Sequence, residues 1–528
     1  MIKISRRSFL AAFGLSGASL ALSACSASSS SNSSSVASVS TTETEDAEEG
    51  IAQTTAGQVQ GTNEDGIFRF LGVPYAEAKE RFVPAEDVTP WEGVLSADSY
   101  GPIAPQGAML GGQQGDQTGT DNNCQNLNIW TPGLDDKARP VMVWFHGGGF
   151  SNGSANASGY DGEALARNKD VVVVGVNHRL NVFGYLDLSA YSDKYRQPNV
   201  GLTDLIKSLE WVRDNIAAFG GDPDNVTLFG QSGGGAKILA LMSAPDAKGL
   251  FQKGIIQSGA TETTGVHFTT QEASTALAEN ILKSLNITAD NIEDIQTVSG
   301  DDLMQAAAQG LQQTAEQLDI RTPLTGDYGM EWEPYIDGTF LPTNPVTDDG
   351  FADAGKDVAL LIGSNLNEWT GFFPSASIPV TDELTAALQS AYPDKTDLTA
   401  EHVDTSLIRL PLLKIMSHKA DQNGASVYAY VFTYGNSYHG AEIPFVFDHP
   451  DEAGGEAGAT NEVKTLADQV STAWANFARN GVPSADGLPT WEAYTREGGA
   501  TMLLDTTSTL VYHHDDALLK LLVPDYEY

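Results

Sequence analysis

VTLFGQSGGGAK, residues 226–237, sets one serine, Ser232, among glycines directly after an apolar run. Gly230-Gln231-Ser232-Gly233-Gly234 matches Gly-x-Ser-x-Gly, the strand-to-helix elbow. Its sharp turn needs glycines because side chains would clash there, and it exposes the serine oxygen. A phosphate-binding loop is the other chemistry that glycines before a lysine suggest. That motif ends in Gly-Lys-Ser/Thr, whereas Ala236 follows Gly235 and Ile238 follows Lys237, so the stretch fails it at two positions.

Working outward, similar apolar runs recur, each bounded by Gly, Asn or Asp: VMVWF at 141–145, VVVVGV at 171–176, VALLIG at 358–363 and SVYAYVF at 426–432. Runs without polar alternation predict strands buried on both faces. Between them, residues 201–220 place Leu205, Leu209, Val212 and Ile216 at helical spacing before a glycine stop. The alternation predicts an α/β fold with a mostly parallel central sheet and helices on both faces. Ligands of such sheets bind beyond the carboxyl ends of the strands. The residues found there are His146-Gly147-Gly148-Gly149, Ser232, Ser364 to Glu368, and TYGNSYHG with His439.

These four strand ends suit one chemistry. A serine hydroxyl is a weak nucleophile that needs a histidine to take its proton and a carboxylate to orient that histidine. A triple glycine frees backbone N–H groups to hold an oxyanion. Spacing alone leaves His439 and His449 both open as the base, and among 69 acidic residues it does not single out Glu368. His146 reads as a shaper of the glycine loop, and His513-His514 as a surface segment or a chance metal site.

Composition narrows the function from outside. The 528 residues include 69 acidic and 29 basic side chains, a formal net charge of −40, which excludes a phosphate-backbone partner such as nucleic acid. The amino terminus joins Arg6 and Arg7 to an apolar stretch, Ala11 to Ala24, that ends at Cys25. At 14 residues with two glycines and three serines, it falls short of the roughly 20 apolar residues of a membrane span. Ser-Arg-Arg-x-Phe-Leu resembles a twin-arginine export signal, and Leu22-Ser23-Ala24-Cys25 resembles a lipobox whose cysteine is lipidated. Residues 1–24 are therefore read as a signal peptide and 25–50, with ten serines and five carboxylates, as a flexible tether. Residues 51–528 form the catalytic domain in this reading, and an exported protein held at the outer face of a bacterial membrane, or released, follows. The acidic surface and GGQQGDQTGTD at 111–121 predict that anionic substrates react poorly.

From residue 55 to 515 the chain resembles the type-B carboxylesterase/cholinesterase family of α/β-hydrolases. The resemblance rests on GQVQG, FRFLGVPYA, LNIWTP, VMVWFHGGGF, NHRLNVFGYL, FGGDPDNVTLFGQSGGG, GLFQKGIIQSGA, LLIGSNLNEW, HGAEIPFVF and AWANFARNGVP, in the family's order. It implies Ser232 as nucleophile, Glu368 as the acid and His439 as the base, with N–H groups of Gly148, Gly149 and Gly233 as the oxyanion hole. It implies a small-molecule ester as substrate and neither metal nor cofactor. A non-catalytic adhesion protein of the same fold is the rival, disfavoured by the intact Ser, Glu and His; a lipase, thioesterase or amidase is a variant of the same mechanism. Departures from the family pattern are Gln231 for a glutamate, Gly233 for an alanine, Trp369 for a glycine, and Ala104 where many relatives have the partner of Cys124.

Overall fold

The computed structural model describes residues 50–107, 118–259, 268–322, 327–347, 349–369, 381–393, 405–454 and 458–525. The export signal, Cys25, residues 25–49 of the tether and residues 111–117 of the acidic segment lie outside the described residues. Among the described residues no helix is long and apolar enough to cross a membrane.

Among the described residues the main sheet takes eleven strands in chain order: β1 Thr62–Glu64, β2 Ile67–Pro74, β3 Asn126–Thr131, β4 Arg139–Phe145, β5 Val172–Val176, β6 Gly221–Gln231, β7 Lys253–Gln257, β8 Ala359–Asn365, β9 Val427–Phe432, β10 Ala500–Leu504 and β11 Thr509–Tyr512. Their spatial order is β11-β10-β9-β8-β7-β6-β4-β5-β3-β2-β1. From β5 through β10 all pairs are parallel, as the alternation predicts. The edges are antiparallel, through the pairs β1–β2, β2–β3, β3–β5 and β10–β11.

The continuous apolar runs resolve into two alternating sets, which is why their sequence shows no polar period. Val141, Val143, Phe145, Val226, Leu228, Leu360 and Ile362 face one layer, with Leu205, Leu209 and Val212 of helix α1, Val200–Asn215, and Ile238 and Leu241 of helix α2, Gly233–Ser243. Met142, Trp144, Phe229, Ile255, Leu361 and Tyr430 face the other, against Leu466, Val470, Trp474 and Phe477 of helix α3, Asn461–Asn480. A residue such as Trp474, wholly buried, contributes about 3–5 kcal/mol relative to alanine. Helix α3 starts where Thr460 Oγ1 accepts from the Val463 N–H and stops at Gly481 in the left-handed region.

Register matters most for function. Phe145 pairs with Gly230, Gln231 with Gln257, Gln257 with Gly363, and Asn365 with Phe432. The carboxyl ends of β4, β6, β7, β8 and β9 are thus level, and whatever follows them shares one edge.

Ala104 and Cys124 are both buried in one small apolar cluster with Leu180. The position that could pair with Cys124 is filled by a methyl group, and burial pushes the thiol pKa far upward.

Candidate active site

Ser232 joins β6 to α2 with φ 56° and ψ −125°, a strained conformation for a non-glycine residue. Its N–H donates to the Gln257 carbonyl at 2.7 Å, tying the elbow to β7. Gly233 opens α2, where backbone N–H groups have no partner within the helix. A Cβ at Gly233 would overlap the backbone of Gly149. The alanine usual in the family does not fit this spacing, and glycine lets the two N–H-bearing segments abut.

The opposite wall is the loop after β4. Gly148, at φ 90°, leaves no room for a Cβ beside the Asn152 carbonyl. The carbonyls of the loop are engaged from behind: Gly147 O accepts from His146 Nδ1 at 2.8 Å, and Gly148 O from the Ser151 and Asn152 N–H groups at 3.2 and 3.0 Å. His146 O accepts from Lys237 Nζ at 2.9 Å. Gln106 brackets Gly153, donating to its carbonyl and accepting from its N–H. Among the described residues the N–H groups of Gly148, Gly149 and Gly233 have no acceptor. Backbone donors held from behind and left open in front suit a developing oxyanion.

Glu368 sits in the turn after β8, wholly buried. Its Oε1 accepts from the Asn365 N–H at 2.7 Å and its Oε2 from His439 Nδ1 at 2.6 Å. The loop after β9 is laced to that turn: the His439 N–H donates to Glu368 O, Asn367 N–H to Ser437 O, and Asn365 Nδ2 to Tyr438 O. With Nδ1 carrying the proton, His439 Nε2 is an acceptor, and it takes a hydrogen bond from the Gln231 carboxamide at 3.1 Å. Trp369 stacks on the imidazole with centroids 4.6 Å apart and planes at 19°. That departure from the family pattern leaves Glu368 on His439 and lays a π-face against a ring that gains charge when protonated.

Sequence reasoning missed a second buried carboxylate. Glu442 Oε1 accepts from Gln257 Nε2 at 3.0 Å and Oε2 from Asn365 Nδ2 at 2.5 Å, while Gln257 Oε1 accepts from Trp474 Nε1. Burial and the nearby Glu368 raise its pKa. Its signal was available as the acid three residues after His439, in an otherwise apolar segment. For His439, burial lowers the pKa, but the charge and hydrogen bond of Glu368 and the charge of Glu442 outweigh it, and the net shift is upward. His449 stands apart, 3.9 Å from Glu452, so geometry separates the two histidines that spacing left open. The surface reading of His513-His514 holds for His513 only; the His514 side chain is 8% exposed and lies against Tyr392, and the adjacent Asp515 is held by Arg409.

A serine on a strand-to-helix elbow, a carboxylate and histidine from later strand ends, and a glycine loop from an earlier one define the α/β-hydrolase class. The chain belongs to the carboxylesterase family, whose model matches residues 48–383 and 379–518. It is 36% identical over 487 residues to the para-nitrobenzyl esterase of Bacillus subtilis (strain 168), covering 87% of this chain and 96% of that protein. It is 31% identical over 490 residues to the phenmedipham hydrolase of Pseudarthrobacter oxydans, covering 86% and 94%. Among solved structures, an esterase of anaerobic Clostridium hathewayi, described as able to hydrolyse aliphatic aromatic polyesters, superposes with a TM-score of 0.78. That match has 33% identity and covers 90% of this chain and 98% of that one.

Proposed function

We propose that this carboxylic ester hydrolase works through Ser232, His439 and Glu368. Ser232 Oγ attacks the ester carbonyl while His439 Nε2 takes its proton. The imidazolium then protonates the leaving alcohol, and water, deprotonated by the same nitrogen, releases the acid from the acyl-enzyme. Glu368 holds the tautomer that leaves Nε2 free, and the N–H groups of Gly148, Gly149 and Gly233 receive the oxyanion. The observation that carries this reading is the 2.6 Å bond from His439 Nδ1 to a wholly buried Glu368, with Nε2 turned to the residue beside Ser232. Gln231 must give up that nitrogen when the Ser232 hydroxyl engages it. No step calls for a metal or cofactor.

Small neutral carboxylic esters are the substrate class. The amino-terminal motifs support export through a twin-arginine signal at 1–24, with lipid on Cys25 as the membrane attachment. A fluorophosphonate should add one label per chain, and Ser232→Ala should abolish both label and turnover in a protein that still folds; labelling of the variant refutes the assignment. Cys25→Ser should abolish incorporation of labelled lipid, and retention in the membrane fraction without lipid refutes the anchor.

A further inference from the structure

Lys237 is the one charged residue in the apolar helix that Ser232 opens, and none of it reaches solvent. Buried ammonium groups ordinarily have a carboxylate partner, yet among the described residues no Asp or Glu pairs with it. Two contacts define its place: Nζ donates to the His146 carbonyl at 2.9 Å, and it lies 5.7 Å from the centroid of the Phe150 ring. His146 and Phe150 bracket Gly147-Gly148-Gly149. The other titratable groups near the ammonium are His146 and His178, whose rings lie 5.0 Å apart. Both are held neutral, by burial first and by the Lys237 charge second. The ammonium is therefore the uncompensated charge behind the oxyanion loop.

We infer that Lys237 is a positioning residue for ester hydrolysis: its ammonium pins the His146 carbonyl from behind and adds a fixed positive charge on the side where the oxyanion forms. The linkage is short. With Lys237 holding its backbone and its ring kept neutral, His146 donates through Nδ1 to Gly147 O. In a trans peptide the Gly148 N–H points opposite to that carbonyl, away from His146 and toward the open side of the loop. A donor polarised through its own peptide group is a stronger donor, and a cation in a water-excluded site acts at greater strength than in water. Burial pushes the Lys237 pKa down to about 7, so the charge is present at and below neutral pH and is lost above it.

This inference rests on the Ser232 reading, and the experiment separates the two. The full chain is compared with Lys237→Gln and Lys237→Met, following kcat and KM on a neutral ester from pH 5.5 to 9.5 and scoring fluorophosphonate labelling in parallel. Expected is a bell-shaped kcat/KM in the parent, falling on the alkaline side. Both variants should lose about tenfold or more in kcat at pH 6.5 with KM little changed, lose the alkaline fall, and still label at Ser232. Relative to the variants, the parent should lose affinity between pH 6.5 and pH 9 for a trifluoromethyl ketone, which forms an anionic adduct with the serine; the titration of His439 affects parent and variants alike and cancels in that ratio. Variants that keep the alkaline fall, or full kcat, overturn the inference while leaving Ser232 in place. If neither variant folds, a parent profile flat from pH 7 to 9.5 overturns it. Absence of Ser232-dependent labelling in the parent fails the underlying reading instead.

Discussion

The two walls that flank Ser232 are charged in opposite senses. On the His439 side, two buried carboxylates, Glu368 and Glu442, share the Asn365 backbone and side chain as donors. On the glycine-loop side a buried lysine stands behind two neutral histidines. In the proposed mechanism the first wall receives a proton and the second an oxyanion. Fixed groups of opposite sign thus match, before any substrate arrives, the charge separation the reaction creates, and need no reorganisation as it develops. The walls also differ in construction: the anionic one is joined by backbone and side-chain bonds between two loops, whereas the charge of the cationic one comes from a single long side chain rising from the helix after Ser232.

The sharpest way to break the anionic wall is Glu368→Gln. An amide at Oε2 no longer holds the Nδ1 proton in place, and kcat should fall about 10⁴-fold while circular dichroism stays unchanged, by analogy with loss of the orienting acid in other triads. On the opposite wall, Gly233→Ala forces its new Cβ against Gly149. Displacing one oxyanion donor should cost about 10²- to 10³-fold in kcat with KM little affected, measurable on any chromogenic ester.

Titration sharpens the comparison. His439 must be neutral to accept the proton, so a pKa raised by its carboxylate neighbours places the acid limb of kcat/KM above the ordinary histidine value of about 6.5. Glu442→Gln removes one of the charges that raise it, and the limb should move to lower pH; an unmoved limb contradicts the electrostatic role of Glu442. The smallest effect expected is long-range. With a net charge of −40, an ester carrying a distal carboxylate should react more slowly than a neutral isostere. The gap should narrow as salt shortens the Debye length from about 30 Å at 0.01 M to about 8 Å at 0.15 M.

What the sequence by itself determined is local. Runs such as VMVWF and SVYAYVF announce strands because both faces are buried, and GQSGG announces a turn that only small residues allow. The antiparallel edge strands β2 and β3 were legible as family motifs only, since neither shows the bare apolar run that marks the centre. What the tertiary structure alone decided is who meets whom. Glu368 was one carboxylate among 69 until the register of β8 on β9 set its turn beside the His439 loop, and His449, ten residues further on, was carried away by the short helical turn Ile443–Val446. In the sequence Glu442 drew no reading, Gln231 stood as a departure from the family pattern, and Lys237 as the lysine of a failed phosphate-loop match. Their meaning comes from partners 77, 208 and 91 residues away. Periodicity records which face of an element is buried, because burial acts on each residue where it stands. Hydrogen bonds between strand ends depend on sheet order and register, which no single segment encodes.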